Sequence, residues 1–582
     1  MSKNRFYKKR KKRRDTTIKP VKRSYIIIPA VMVVILAALL ILVFLPSREE
    51  KTETVKFLGS TAAGIQYYVM NDEEQRLIQA SSPLPRGTRV TDMDESYSEN
   101  GVEYELVRYN DSIVYIPGEY LVDTMSEVIR ETEVWVRTSS TVYEDKSGIG
   151  IASWAKKGSC LKVVGFDKLM EDGSINKYQV SYTDSTGEDI TGWVYGKYLA
   201  DNEADALAVN TSTYDIHKSR TYGDTDLHGG SAESLDWYPV EKPEFDNNPL
   251  LRSGSFMYVA IKAAKNIDTY IEIAKKYNIR GIVIDIKDEL NIAYEMPEIN
   301  EYSALTNDCA VYGDASVYRN AVRKCKDAGL YCVGRIVTFK DTLFAKQHPE
   351  SSIESSISNL RWPSAYSRKC WEYNVTIACT AVKDCGFNEI QFDYVRFPEE
   401  AYQMSENGDA DFKNTYDEEK AEAIQNFCYY ASDVLHENGV YMSVDVFGEC
   451  SNPYITAYGQ YYPAISLVVD AISAMPYTDH YGRETDTWSD PYRTVSSWAQ
   501  KTAARQLEIE TPAVSRTWIT AYDVPYWNPV ITCDSDYVRS QVQALTDNGL
   551  ECAFISWNSD SSVSKYELIG SAWNADQYTG TP

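Results

Sequence analysis

Residues 388–400 read NEIQFDYVRFPEE, an apolar run that ends in a cluster of charge and then a proline. Side chains alternate between the faces of a strand, so Ile390, Phe392 and Tyr394 share one face, and Gln391 and Asp393 the other. If the bulky face meets helices, Asp393 is left on the inner face. Two further stretches repeat the arrangement. In RGIVIDIKDE (280–289) Ile282, Ile284 and Ile286 lie opposite Val283, Asp285 and Lys287; in GVYMSVDVFGE (439–449) Met442, Val444 and Val446 lie opposite Ser443, Asp445 and Phe447.

Around these three lie five more strand-like runs: SFMYVAIK (255–262), LYCVGRIVTFKD (330–341), DAISAMPY (470–477), TPAVSRTWITAY (511–522) and ECAFISWNSD (551–560). Amphipathic helical runs such as NIDTYIEIAKKYN (266–278) and DEEKAEAIQNFCYYASDVLHENG (417–439) alternate with them. Eight strands and intervening helices in roughly 320 residues predict an α/β fold, a (β/α)8 TIM barrel over 253–577. An open doubly wound sheet is the competing fold, but no glycine-rich phosphate loop follows the first strand.

In such a barrel, reactive side chains sit at the C-terminal ends of strands and face inward. Asp285, Asp393 and Asp445 all meet that condition, with Lys287, Asp288, Arg335, Arg396 and Glu449 close by in sequence. Glycoside hydrolysis commonly uses two carboxyl groups astride the bond, one kept ionised and one kept protonated. Strict alternation puts Arg396 on the face away from Asp393, so it reaches that carboxylate only if the strand breaks by Val395. The aromatic residues Tyr394, Phe397, Tyr477, Tyr481, Trp518, Tyr522 and Trp557 fall at strand ends or just beyond, where rings can stack on sugars. His480, in the loop after the sixth strand, is a further candidate for binding substrate. The five histidines, His217, His228, His348, His436 and His480, show no metal-ligand spacing, and no cofactor or metal is implied. There is no G-x-S-x-G elbow, which disfavours acyl-enzyme chemistry. Eleven cysteines without a CxxC pair read as buried thiols rather than a disulfide scaffold.

The N-terminal third is organised differently. Residues 25–45 are 21 uncharged, apolar residues, enough to cross a membrane. The preceding tail (1–24) carries twelve basic residues against one acid, so the positive-inside rule predicts a cytoplasmic N-terminus and an exported remainder. The apolar stretch exceeds the core of a cleaved signal peptide. The chain's formal charge of −25, against +11 in residues 1–46, leaves −36 on the exported part, which argues against nucleic acid as a partner.

Two later segments end alike, YIPGEYLVD (115–123) and WVYGKYLAD (193–201), each after short alternating strands. These stretches, 54–126 and 130–202, resemble tandem bacterial Src-homology-3-like modules, small all-β barrels. That resemblance implies either binding of cell-wall peptide or glycan, or a spacer role. Residues 203–252 are polar and irregular and read as a linker.

GIVIDIKDELNIAYE (281–295), GRIVTFKD (334–341), IQFDYVRFP (390–398), SVDVFG (443–448) and AMPY (474–477) resemble, in order, the motifs of a bacterial family of glycoside-hydrolase-like TIM barrels related to the amylase-like enzymes. The resemblance covers about 253–575. It implies Asp393 as nucleophile or base and Asp445 or Glu449 as acid. Asp285, Lys287, Asp288, Arg335, Arg396, Tyr477, His480, Trp518 and Trp557 would bind substrate or tune charge. The two-glutamate pattern of another barrel clan is absent, since strand seven reads SRTWITAYD. The expected protein is a membrane-anchored extracellular glycoside hydrolase acting on polysaccharide, peptidoglycan-type glycan included. The alternative is a catalytically silent scaffold that grips wall glycan.

Overall fold

The computed structural model describes residues 54–573, apart from 72, 221–228, 358–361, 409, 482–484, 528–529 and 551–552. Among the described residues no helix is long and apolar enough to cross a membrane. The span predicted over 25–45 and the basic tail lie outside them, as does His228.

The described chain forms two compact units: the first comprises residues up to 56, 67–80 and 89–123, and the second 57–66, 81–88 and everything from 124. The first is antiparallel β, with strands Tyr68–Asn71, Arg76–Gln79, Arg89–Glu99, Val102–Tyr109 and Ser112–Pro117. The second opens with another antiparallel sheet, from Glu133–Val136 to Asp189–Tyr195, closed around Val134, Val136, Val142, Leu161, Val180 and Val194. The matching sequence endings have matching structures, since Gly118–Tyr120 and Gly196–Tyr198 each form a 3-10 turn that leads into a last short strand.

The rest of the second unit is a closed barrel of eight parallel strands: β1 Gly254–Val259, β2 Gly281–Lys287, β3 Tyr331–Val337, β4 Glu389–Asp393, β5 Tyr441–Phe447, β6 Ala471–Met475, β7 Val514–Thr520 and β8 Ala553–Trp557. Each pairs with the next, and β8 pairs back onto β1. The helices following the strands are α1 Ile267–Lys276, α2 Ser316–Asp327, α3 Arg368–Cys385, α4 Lys420–Glu437, α5 Tyr462–Val468, α6 Pro491–Gln506, α7 Ser535–Asp547 and α8 Val563–Ile569. All eight predicted strands are present.

The alternation read from sequence divides the two cores. Ile282, Ile284, Ile286, Ile390, Phe392, Met442, Val444 and Val446 belong to the shell between strands and helices. Phe256, Tyr258, Val283, Val333, Trp518 and Ile555 fill the barrel interior. Gly334 on β3 is required by packing: a side chain there would run into Ile286 and Phe387.

α3 and α4 are buried on more than one side, which a surface helix of a barrel is not. Their outer faces carry the small β-sheet of the second unit. Trp154 packs edge-on against Trp371 (5.9 Å between centroids), and the Arg368 guanidinium lies 4.0 Å over Trp371 and 4.8 Å over Trp154. The Tyr198 hydroxyl donates to Asp433 Oδ1 (2.8 Å), which also takes Lys197 Nζ (2.6 Å). Tyr198 and Asp433 are buried, whereas the Lys197 side chain is half exposed. Tyr198→Phe should therefore destabilise the unit by about 2 kcal/mol, as expected for losing a buried hydrogen bond to a charged group. Lys197→Met should cost under about 1 kcal/mol. Denaturant midpoints at constant slope would check both, and equal costs would contradict this account.

The predicted linker is a strap. It contains helices Glu203–Leu207 and Thr211–His217, and His217 stacks on Trp237 (4.0 Å) beside Tyr461 of the barrel. Arg220 pairs with Glu508 (2.5 Å), and Lys242 Nζ donates to the carbonyls of Ser466, Leu467 and Val469 at the end of α5.

Candidate active site

Strand register brings together what the sequence holds 50 to 110 residues apart. In β2 and β3 Asp285 lies beside Arg335; in β3 and β4 Arg335 lies beside Gln391, with Asp393 the next inward position along β4. Arg335 is the hub. Its Nη1 donates to Asp285 Oδ1 (2.7 Å), its Nη2 to Asp393 Oδ2, and its Nε lies 3.6 Å from Asp445 Oδ2. All four side chains are buried. Tyr258 from β1 donates its hydroxyl to Asp285 Oδ2, and Trp518 from β7 donates Nε1–H to Asp445 Oδ1 (2.7 Å). Among the described residues no group donates a hydrogen bond to Asp445 Oδ2.

Three carboxylates against one guanidinium, all out of water, cannot all stay ionised at ordinary cost. Burial pushes the Asp445 carboxyl well above the usual carboxylate range, and the neighbouring Asp393 pushes it the same way; Arg335 and the Trp518 donor offset this only in part. Asp285 is also raised by burial, against the opposing effect of Arg335 and Tyr258. Asp393 accepts two close donors, Arg335 and the Tyr394 backbone N–H (2.6 Å to Oδ1).

Tyr394 supplies that amide from a left-handed backbone, φ +54°. A bulky residue there is strained, and such strain concentrates at functional sites. The turn ends β4 at Asp393, so the strand does break before Val395. Arg396 nevertheless does not reach Asp393. Its guanidinium donates to the Phe397 carbonyl (3.0 Å) and Glu399 (2.9 Å) and lies over the Phe447 and Tyr394 rings.

Three other candidates stand apart from the cluster. Lys287 does not share the face of Asp285, because the β2–β3 register slips at Ile286; one extra residue turns it outward. There it forms a buried pair with Asp341 (2.7 Å), to which Tyr373 also donates. Asp288 serves a turn, accepting the backbone N–H groups of Leu290 and Asn291. Glu449 is the exposed residue of the otherwise buried 3-10 turn Gly448–Ser451, held by Tyr454 and Tyr458 hydroxyls rather than by the carboxylate cluster.

The aromatic residues divide as well. Trp518 is buried and acts on Asp445, whereas half-buried Trp557 lies 5.5 Å over the Arg335 guanidinium and packs on Tyr258. Tyr477 is buried and packs edge-on against Tyr522. His480 is exposed and pairs with Asp479 (3.0 Å), which also accepts from Tyr522 (2.7 Å) and Tyr526 (3.1 Å). Burial alone would raise Asp479, but the His480 and tyrosine donors outweigh it and hold its carboxyl below the usual value. Tyr258, Asp341 and Asp479 were missed in the sequence. The signal for Tyr258 was its inward position on the first strand, and that for Asp479 its place beside His480.

Residues 256–563 match the model of a family described as "Putative glycosyl hydrolase domain". Similar solved structures include a hypothetical protein from Ruminiclostridium thermocellum, 28% identical, covering 33% of this chain and 97% of that one, with a TM-score of 0.27. Another is the glycoside hydrolase domain of PgaB (BpsB) from Bordetella bronchiseptica, 12% identical, covering 55% and 99%, with a TM-score of 0.40. A class V chitinase from Pseudomonas fluorescens is also 12% identical, covering 55% and 99%, with a TM-score of 0.37. No curated protein matches the chain.

Proposed function

The chain belongs to this glycosyl hydrolase family, and from that premise we propose that its barrel hydrolyses glycosidic bonds in a polysaccharide, with Asp393 as nucleophile or base and Asp445 as acid. The observation that carries the roles is the charge imbalance around Arg335. Asp393 holds two donors suited to a carboxylate. Asp445, buried and beside a like charge, has its carboxyl pushed well above the usual carboxylate range, which suits it to the acid role. With Oδ1 taken by Trp518 and Oδ2 without a donor among the described residues, the acid's proton would sit on Oδ2 and pass from there to the departing sugar oxygen. Asp393 would then attack the anomeric carbon or activate a water that does so. Asp285 and Tyr258 hold Arg335 in place, and Trp557 offers a ring face to the sugar. We further propose that residues 25–45 anchor the protein in a membrane with the barrel outside, supported by the uncharged run and its basic flank.

The acid assignment fixes the sign of a pH dependence. An acid works only while protonated, so activity should persist until pH rises through the elevated pKa of Asp445 and fall beyond it. Trp518→Phe removes a donor that favours the ionised form, and should move this alkaline limb to still higher pH. The kcat/KM profile of the parent and variant on a released-sugar assay tests this; a limb that stays put would remove Asp445 from the acid role. Release of no sugar across a broad glycan panel would sink the hydrolase reading. Burial of all three carboxylates favours the silent scaffold as a second reading, which requires binding without release.

A further inference from the structure

On the C-terminal rim of the barrel, just past the ends of β5 and β6, lies a cavity of about 270 Å³. One wall is a face of α6, where Arg493, Ser497 and Lys501 recur every four residues around Trp498; the other is formed by Asn452 after β5 and Tyr481 after β6. Its floor is fixed: Trp498 is buried and donates Nε1–H to the Gly448 carbonyl (3.1 Å), and the Tyr481 hydroxyl closes on Gly448 where no larger residue fits. Gly448 follows β5 three residues after Asp445, so the cavity lies past the end of the strand that carries the proposed acid.

Its charge is unlike the rest of the molecule. The chain carries 84 acidic against 59 basic residues, yet among the described residues this lining holds two cations and no carboxylate. Lys501 Nζ donates to Asn452 Oδ1 (3.0 Å), which leaves two ammonium hydrogens free of it. The Arg493 guanidinium has no hydrogen-bond or ion-pair partner among the described residues. Eight helical residues separate the two by about 12 Å along the axis, too far to clamp one small anion at their Cα positions, so they meet different points of a bound chain. Tyrosine and tryptophan beside hydroxyl and amide groups suit a sugar, and the cations suit an acid group upon it.

We propose that this rim cavity is a subsite for an anionic sugar, so that the substrate is a glycan bearing carboxylate or phosphate groups. The proposal rests on the glycoside hydrolase reading, and binding is measured separately from turnover so that the two can fail independently. Full-length Asp393→Asn protein would be titrated with oligosaccharides containing galacturonate, glucuronate or muramic acid, each paired with its carboxyl-reduced twin, and with a glycerol-phosphate polymer. At least one acidic probe should bind about tenfold or more tightly than its twin, or the phosphate polymer should bind. Arg493→Gln/Lys501→Gln should abolish that excess while leaving the neutral twins unchanged. Preference for a uronate or muramate identifies a carboxylate, and preference for the polymer identifies a phosphate. The proposal is overturned if no acidic probe shows the excess and the polymer does not bind, or if the excess or the polymer binding survives in the double variant. Anionic binding without release of sugar by the parent would instead retain the subsite and dismiss hydrolysis.

Discussion

Asp393→Asn lowers glycan turnover by about 10³-fold or more while leaving the barrel folded and able to bind substrate. The substitution is nearly isosteric, and the Asn side-chain oxygen still accepts from the Tyr394 amide. What it loses is the charge. An amide neither attacks an anomeric carbon nor takes a proton from water, and such losses remove about two to four orders of magnitude or more. A thousandfold corresponds to about 4 kcal/mol of barrier. The variant also places an amide donor against Arg335 Nη2, so a modest loss of stability accompanies the loss of rate. Reducing-end release under single-turnover conditions, paired with pull-down on the same glycan, gives both readouts. Full activity in the variant would remove Asp393 from the chemistry. Equal binding by parent and variant, with neither releasing sugar, would establish the silent scaffold.

The barrel was legible because its strands obey a two-residue period that burial enforces. Ile282, Ile284 and Ile286 could be assigned to the helix side without coordinates, and Asp285, Asp393 and Asp445 followed onto the inner face. The period fails where the backbone departs from it. The slip at Ile286 inverts Lys287, and the left-handed turn at Tyr394 releases Arg396 to its own loop. Nothing local in IDIKDE or DYVRFP announces either event, since neither contains a glycine or proline at the break.

Partnership was less legible than position. Arg335 stood in the sequence among several basic candidates, and only closure of the sheet makes it the one that touches three aspartates. The same holds for Trp518, which the sequence offers as a sugar platform and the fold buries as a donor to Asp445. Glu449 shows the opposite failure: it follows β5 closely enough to suggest a strand-end acid, but the 3-10 turn carries it outward. The burial of α3 and α4 on more than one side was written in their composition, with CYYASDV mid-helix, yet identifying the covering layer required contacts from residues 143–198.

At the opposite end of the barrel interior, a second buried ion pair should govern stability rather than activity. Arg516 Nη1 donates to Glu389 Oε1 (2.5 Å), and both side chains are wholly buried. Ser443 and Tyr331 donate to the same carboxylate, and Arg516 Nη2 donates to the Leu251 carbonyl. Glu389 begins β4 and Tyr331 begins β3, so this network lies at the strand starts, the end of such barrels that serves stability. Glu389→Gln keeps the shape but leaves Arg516 charged, buried and without its counter-ion, which should cost about 3–5 kcal/mol. Arg516→Met should cost a similar amount by stranding the carboxylate. The double variant should recover much of the loss, because replacing both charges also removes the desolvation penalty of each. A double-mutant cycle on the barrel's denaturant transition measures the coupling. Single variants that unfold at the parental midpoint would show that the pair contributes little. A thousandfold fall in turnover per folded molecule in Glu389→Gln would place this network within the catalytic machinery instead.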